Sequence, residues 1–339
     1  MDGSDQNSHG KTLVYQNLDP AVVLNAVESL GVTCNGSLFA LNSYENRVYR
    51  IGLEDGTTII AKFYRPERWS DEAIREELSF LLELEDAEIP AVAPLIIRGE
   101  SFHRYEQFGF TIFPAVGGRA PELDNKEHLT QIGRLMGRLH ALAKTREFQH
   151  RPNLSVQRLG SEPVNYLCSG DVIPLELQPA YEAVARAVTA RSRECFESHS
   201  GVNTQRLHGD CHIGNILWMD GVATLVDFDD CCTGPAVQDL WMFLSGDEDY
   251  MNIGLSRVLD GYTEFNDFNT RELGLIEALR ALRMLHYAAW LTKRREEPAF
   301  QIAFPWFNDR RYWDEHILGL REQLAVLQEP PKLEFIRAR

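Results

Sequence analysis

Three oxygen-bearing side chains lie close together between Leu207 and Asp230: Asp210, Asn215 and Asp227. Phosphoryl transfer needs one carboxylate to orient an incoming hydroxyl and two oxygen ligands for a metal bridging the phosphates. Asp210 is spaced for the first role, and Asn215 and Asp227 for the second. The chain reads His208-Gly209-Asp210, four residues, Asn215, and later Asp227-Phe228-Asp229. Protein kinases space their catalytic Asp and Asn in the same way, but with Arg where this chain has Gly209, and Gly where it has Asp229. A polar turn between apolar strands would explain one Asp-Gly or one Asn. It would not explain an ordered set with a lysine and a glutamate upstream.

Lys62 ends an apolar stretch, IIAKFYR, and would meet the α- and β-phosphates of ATP as a point charge. Such a lysine needs an acidic partner. Glu77, on the next amphipathic segment, is the choice, with Glu76 one position away as the alternative. The turn at 42–47 stands where a glycine-rich phosphate loop would be expected, yet it contains no glycine. Its Ser43 can still offer a hydroxyl to a phosphate. Adenine would bond to backbone groups around Phe113 and Ala115. Asp229 and Asp230 would either be exposed turn residues or crowd Asp210 and Asp227 in one cleft. A divalent cation would relieve their mutual repulsion, and magnesium suits oxygen ligands of this kind. His208 reads as a structural histidine under the loop, and Asp239 as an acceptor of loop amides or a helix-end carboxylate. His208, Cys211, His212, Cys231 and Cys232 invite zinc, but their spacing does not give the usual ligand pairs.

The elements that must hold these residues are legible from periodicity. Asp19 and Pro20 open a helix that Gly31 ends. Alternating segments at 37–41, 47–53 and 57–64 read as an antiparallel meander, with two more strands at 95–97 and 108–113. Between them Ser70 caps a helix bearing Ile74, Leu78, Leu81 and Leu82 on one face. After Pro114 the pattern is mainly helical. Asp124 and Glu127 resemble a capping box for a helix to Ala143, on which His140 reads as structural. Further helices are expected at 174–197, 236–245, 252–265, 271–294 and 310–328. The expected organisation is a nucleotide-binding lobe over 1–113 (with 1–10 fraying), a hinge at 114–118 and a helical catalytic lobe over 119–339.

The chain has 339 residues, 44% hydrophobic and 25% charged, enough for two lobes. Its net charge of −16 argues against nucleic-acid or anionic-membrane partners. No apolar run approaches the ~20 residues needed to span a bilayer. The N-terminus lacks the features of a signal peptide, so a cytoplasmic monomer is expected. The six cysteines form no regular framework, which suits reduced thiols.

With these residues in hand, the chain resembles the aminoglycoside-phosphotransferase-like branch of the kinase superfamily, and more closely the bacterial stress response kinase A family. The stretches that carry the resemblance include LNSYENRVYR, AKFYRPERWS, FPAVGGR, LHGDCHIGNILW, GPAVQDLWM and VLQEPP. The resemblance implies an α+β, two-lobed protein-kinase-like fold. It implies a cytoplasmic serine/threonine protein kinase using ATP and magnesium in protection against envelope and oxidative stress. Its substrate would be a protein, possibly itself. It implies Asp210 as the catalytic aspartate, Asn215 and Asp227 as magnesium ligands and Ser43 as an ATP contact. The family's loop after LVDFDD differs here by Cys231 and Cys232, which could respond to redox conditions. Eleven residues separate Asp227 from Asp239, with no long segment to dock a peptide. That brevity points instead to a small-molecule phosphotransferase of the aminoglycoside, choline or homoserine type.

Overall fold

The computed structural model describes residues 15, 17–41, 43, 45–307 and 309–335. The fraying expected of residues 1–10 lies outside the described residues, as do Asn42 and Tyr44 of the first turn. Two compact units form, one from the described residues up to Ile74 with Pro94–Ala115, the other from Arg75–Ala93 and Val116 onward.

In the first unit, Asp19 accepts the Val22 amide at 2.9 Å and Pro20 starts α1 (Pro20–Glu28), which buries Val23, Ala26 and Val27. The antiparallel sheet runs in the order β1-β2-β3-β5-β4. Its strands are β1 (Cys34–Ala40), β2 (Arg47–Leu53), β3 (Thr58–Phe63), β4 (His103–Tyr105) and β5 (Phe108–Pro114). Register places Lys62 of β3 between Val48 of β2 and Thr111 of β5. Phe63 and Phe110 stack at 5.1 Å in the core beneath. The expected strand at 95–97 does not form. Leu95 makes one backbone bond to Ile112, and the chain then turns through Arg98 and Gly99, both at positive φ. The strand that completes the sheet lies at His103–Tyr105 instead. α2 (Asp71–Asp86) begins after Ser70, whose hydroxyl accepts the Ala73 amide at 3.2 Å.

The second unit is mainly helical. α3 (Lys126–Ala143) is capped by Asn125, which accepts the Glu127 amide at 3.0 Å. The cap is one residue later than expected, because Asp124 accepts the Tyr250 hydroxyl instead. α4 (Glu162–Ser169) was not foreseen, and α5 (Gln178–Ser198) starts later than Pro174. The expected helix at 236–245 is a pair of short 3-10 turns, Ala236–Asp239 and Trp241–Phe243. α6 (Glu248–Tyr262), α7 (Ile276–Arg294), α8 (Pro298–Ala303) and α9 (Arg310–Gln328) complete the unit. Tyr181 of α5, Trp313 and Ile317 of α9, and Leu285 of α7 share one core.

α3 and α6 pack backbone to backbone. A Cβ on Gly133 would lie 2.0 Å from the Val258 carbonyl oxygen, and one on Gly261 would lie 2.1 Å from that of Thr130. Ala is the better helix former by about 1 kcal/mol, but a backbone clash cannot relax as a side chain can. Gly133→Ala is therefore expected to cost about 2 kcal/mol net, read as a lower urea midpoint.

Candidate active site

β6 (Gln205–Leu207) feeds the loop that carries Asp210 and pairs with β9 (Cys232–Gly234). Downstream, β7 (Ile216–Met219) and β8 (Val222–Leu225) form a hairpin closed by Asp220-Gly221, both at positive φ as a tight hairpin turn requires. The loop between β6 and β7 carries Asp210 and Asn215. The residues after β8 carry Asp227.

One buried carboxylate sets the loop. Asp239 takes the His208 amide on Oδ2 and the Gly209 amide on Oδ1, each at 2.8 Å. Its Oδ2 also lies 3.1 Å from Nε2 of His140, whose Nδ1 lies 3.1 Å from the Tyr262 hydroxyl. The Asp239 carboxylate can only accept, so Nε2 of His140 is the donor in that contact. His140 is the structural histidine expected, and Asp239 is the loop acceptor. His208 is fully buried against Phe228; its Nε2 meets the Val226 carbonyl at 2.9 Å and its Nδ1 the Asp210 amide at 3.3 Å. Gly209 has φ +88°, and a Cβ there would lie 2.1 Å from the Asp230 carbonyl oxygen. An arginine does not fit at that position, which accounts for the Gly in the motif.

Asn215 donates its side-chain amide to the Asp210 carbonyl at 2.9 Å, so the side-chain oxygen is what it has left to offer. The Asn215 carbonyl accepts the Val226 amide at 3.0 Å, which brings the residue before Asp227 beside it. Asp227 is solvent-exposed and left-handed, with φ +61°. For a non-glycine residue that conformation costs of order 1 kcal/mol and is held by its surroundings.

Two donors face the Asp210 carboxylate. Arg283 of α7 pairs with Oδ1, and Nε2 of His212 lies 3.5 Å from Oδ2. His212 Nδ1 accepts the Gly214 amide at 3.0 Å, so Nε2 carries the proton. Burial pushes the Asp210 carboxyl up, but the His212 hydrogen bond and the Arg283 guanidinium outweigh it and hold the carboxyl well below the usual range.

Arg151 was not foreseen. It is buried, donates to the Cys231 carbonyl at 2.9 Å and to that of Asp229, and lies 3.8 Å from the carboxylate of fully buried Glu77. Glu76 accepts the amides of Gln149, His150 and Arg151 at 2.6, 2.8 and 2.9 Å. Arg283 was also missed, because an arginine on a helix some 70 residues downstream carries no local motif.

Glu272 props the turn that holds Asp239, taking the Val237 amide at 2.9 Å. Burial pushes its carboxyl from 4.5 up to about 7, against the pull of the Val237 amide and the Lys144 charge. The native state thus keeps a proton that the unfolded chain releases near pH 4.5. The stability this group contributes is complete below that pH and is lost as pH rises through about 7. Glu272→Gln is expected to remove a decline of about 2–3 kcal/mol between pH 5 and 8, seen by comparing urea midpoints of the two proteins across that range.

In the first unit, Lys62 is buried with Nζ 4.9 Å from the centre of the Tyr64 ring. Ser43 is half-buried, and its carbonyl accepts from Arg47 at 3.4 Å. Phe113 pairs with Ile60 at the end of β5, and Ala115 is exposed just beyond. The cysteines are free thiols. Cys211, Cys231 and Cys232 are buried, which pushes the Cys232 thiol up to about 12 and Cys231 well above its ordinary value. Such thiols are poor nucleophiles.

Residues 39–276 match the phosphotransferase enzyme family. The chain belongs to that family. This phosphotransferase is 41% identical over 327 residues to "Stress response kinase A" of Escherichia coli (strain K12), covering 95% of this chain and 98% of that protein. It is 41% identical over 317 residues to "Serine/threonine protein kinase RdoA" of Salmonella typhimurium (strain LT2), covering 94% and 96%. The family resemblance read from the motifs is borne out, and the protein is a kinase. Among solved structures, the amicoumacin kinase hAmiN in complex with AMP-PNP, Ca2+ and Ami is similar with a TM-score of 0.72 at 19% identity, covering 94% of this chain and 96% of that one. The microcompartment-associated aminopropanol kinase is similar with a TM-score of 0.71 at 18% identity, covering 92% and 97%. Identities that low speak for the fold, which is the α+β kinase-like fold expected. Among the described residues no helix of this phosphotransferase is long and apolar enough to cross a membrane.

Proposed function

We propose that this protein is an ATP- and magnesium-dependent serine/threonine protein kinase of a cytoplasmic stress response. The observation that carries the reading is the Asp210–Asn215 loop. It sets a carboxylate for an acceptor hydroxyl next to Asn215, whose side-chain nitrogen is turned onto the Asp210 carbonyl. The 41% identical relative named as a stress response kinase supports the biological role.

Magnesium fits the residues present. Asn215 and Asp227 are oxygen donors, one neutral and one charged, and magnesium prefers few protein carboxylates beside substrate phosphates. When bound there it would neutralise charge on the β- and γ-phosphates. The protein does the rest by alignment and electrostatics. Asp210 orients the acceptor hydroxyl and takes its proton as the oxygen bonds to the γ-phosphorus and the bond from that phosphorus to the β,γ-bridging oxygen breaks, releasing ADP. Asp239 and His140 fix the Asp210 backbone through the His208 and Gly209 amides. Lys62 supplies positive charge for the α- and β-phosphates, with Glu77 as its acidic partner. Ser43 contacts phosphate, and backbone groups of Phe113 and Ala115 hold adenine.

A second reading, a small-molecule phosphotransferase, has its own support. Between Asp227 and Asp239 the chain makes only two 3-10 turns and the three-residue β9, leaving no extended segment for a peptide. Solved structures of similar fold are named as kinases of amicoumacin and aminopropanol. Transfer of labelled γ-phosphate from ATP, to the protein itself and to a generic protein acceptor, decides between them. Label on serine or threonine supports the protein kinase. A nucleotide-binding preparation that labels no protein but labels an alcohol from a metabolite panel replaces it with the second reading.

A further inference from the structure

Arg283 sits on the carboxylate proposed to receive the acceptor. Its guanidinium donates to Oδ1 of Asp210, while Oδ2 lies 3.5 Å from the protonated nitrogen of His212. Both oxygens that could receive the acceptor's hydrogen bond are thus already faced by donors. These donors reach in from solvent, with the Arg283 and His212 side chains 44% and 37% exposed. An entering hydroxyl has to replace one of them. A neutral hydroxyl is a weaker partner for a carboxylate than a guanidinium, so a plain alcohol displaces Arg283 at net cost. An acceptor that brings its own anion offers Arg283 a new partner, and the exchange becomes ion pair for ion pair.

α7 supplies the surface beside it. Tyr287 and Trp290 follow Arg283 by four and seven residues and so share its face of the helix. Their rings stack at 5.7 Å with 10° between planes. Trp290 is braced by the edge of Phe304 at 6.0 Å and by Arg294 at 4.4 Å from its centre. Other basic side chains of α7 are engaged elsewhere: Arg280 on Glu277 at 3.1 Å, and Lys293 over the Tyr166 ring at 5.1 Å. Outward from the catalytic loop the strip therefore runs from a cation to a flat aromatic pair, on a chain whose net charge is −16. In so acidic a protein, a cation placed on the catalytic carboxylate stands out as a contact for an anionic group.

We propose that Arg283, Tyr287 and Trp290 form the acceptor subsite, and that it takes a serine or threonine flanked by an acidic side chain. The incoming carboxylate draws Arg283 off Asp210 as the hydroxyl takes its place. Arg283 acts as a positioning and specificity residue, and the aromatic pair receives the residue beside the acceptor. The proposal rests on the protein-kinase reading for the nature of its acceptor.

The test uses the full chain and two fluorescent serine peptides, one with flanking glutamates and one with glutamines at the same positions. Binding is followed by anisotropy with magnesium and a non-hydrolysable ATP analogue, and transfer by labelled ATP. The acidic peptide is expected to bind about tenfold tighter to the wild-type protein, the effect of one charge-assisted contact. Arg283→Gln should erase the preference, Arg283→Lys keep part of it, and Arg283→Glu turn it toward a lysine-flanked peptide. Trp290→Ala should weaken both peptides alike and leave their ratio intact, which separates the aromatic contribution from the charge. Equal binding of the two peptides by the wild-type protein, or a preference that survives Arg283→Gln, overturns the subsite. Acidic preference in binding without transfer to serine supports the subsite and counts against the kinase reading. Equal transfer to both peptides does the reverse.

Discussion

Asp210→Asn is expected to lower the rate of phosphate transfer by roughly 10²–10⁴-fold, the range a positioned general base contributes. Affinity for ATP should change little. The substitution keeps the shape of the side chain and touches neither Asn215 nor Asp227, so the proposed metal and phosphate contacts survive. The Asp210 carbonyl still accepts from Asn215, because that bond uses the backbone. What disappears is the charge that receives the acceptor's proton and holds Arg283. Single-turnover transfer measured beside nucleotide titration separates the two effects. Near-normal turnover would remove Asp210 from the role assigned to it.

Asp239→Ala should do comparable damage by another route. It leaves the His208 and Gly209 amides and Nε2 of His140 without their acceptor inside the protein. Each buried donor left unmade costs about 1–3 kcal/mol, so a total near 3–5 kcal/mol is expected. That is a large share of the 5–15 kcal/mol by which folded proteins typically exceed their unfolded state. Activity should fall about 10²-fold even where the protein remains folded, because the backbone that aims Asp210 is no longer fixed. Urea denaturation and the transfer rate at low temperature read the two losses separately. A variant with wild-type stability would show that the loop holds its shape without this carboxylate.

The catalytic loop was legible because its chemistry is local. Asp210, Asn215 and Asp227 lie within eighteen residues of one another, and their spacing survives in any fold that uses them. β2, β3 and α9 were legible for a related reason, since their apolar periodicity is long and uninterrupted. What stayed hidden depends on segments far apart in the chain. Arg151 holds the Asp229 and Cys231 carbonyls from 78 and 80 residues away, and Arg283 reaches Asp210 across 73. No periodicity marks such residues. The misplaced strand at 95–97 has a different cause. Leu95 and Ile97 pack on the core beside the sheet from an extended loop, and burial without a ladder looks the same in sequence as burial within one. The helix expected at 236–245 failed because Pro235 and the demands of Asp239 and Glu272 tighten the backbone into short turns. Tertiary contacts there override local propensity.

The side chains that shape the catalytic loop and those proposed to meet the acceptor belong to different parts of the chain. His140, Asp239 and Tyr262 hold the loop, and none of them belongs to the outward strip of α7 that carries Arg283, Tyr287 and Trp290. Substitutions at Tyr287 and Trp290 can therefore change what is bound without touching the carboxylate proposed to take the proton, whereas Arg283 belongs to both. A scaffold divided in this way can diversify its clientele step by step, each intermediate remaining a working enzyme. Retargeting it by design would likewise begin on α7 and leave His140, Asp239 and Tyr262 alone.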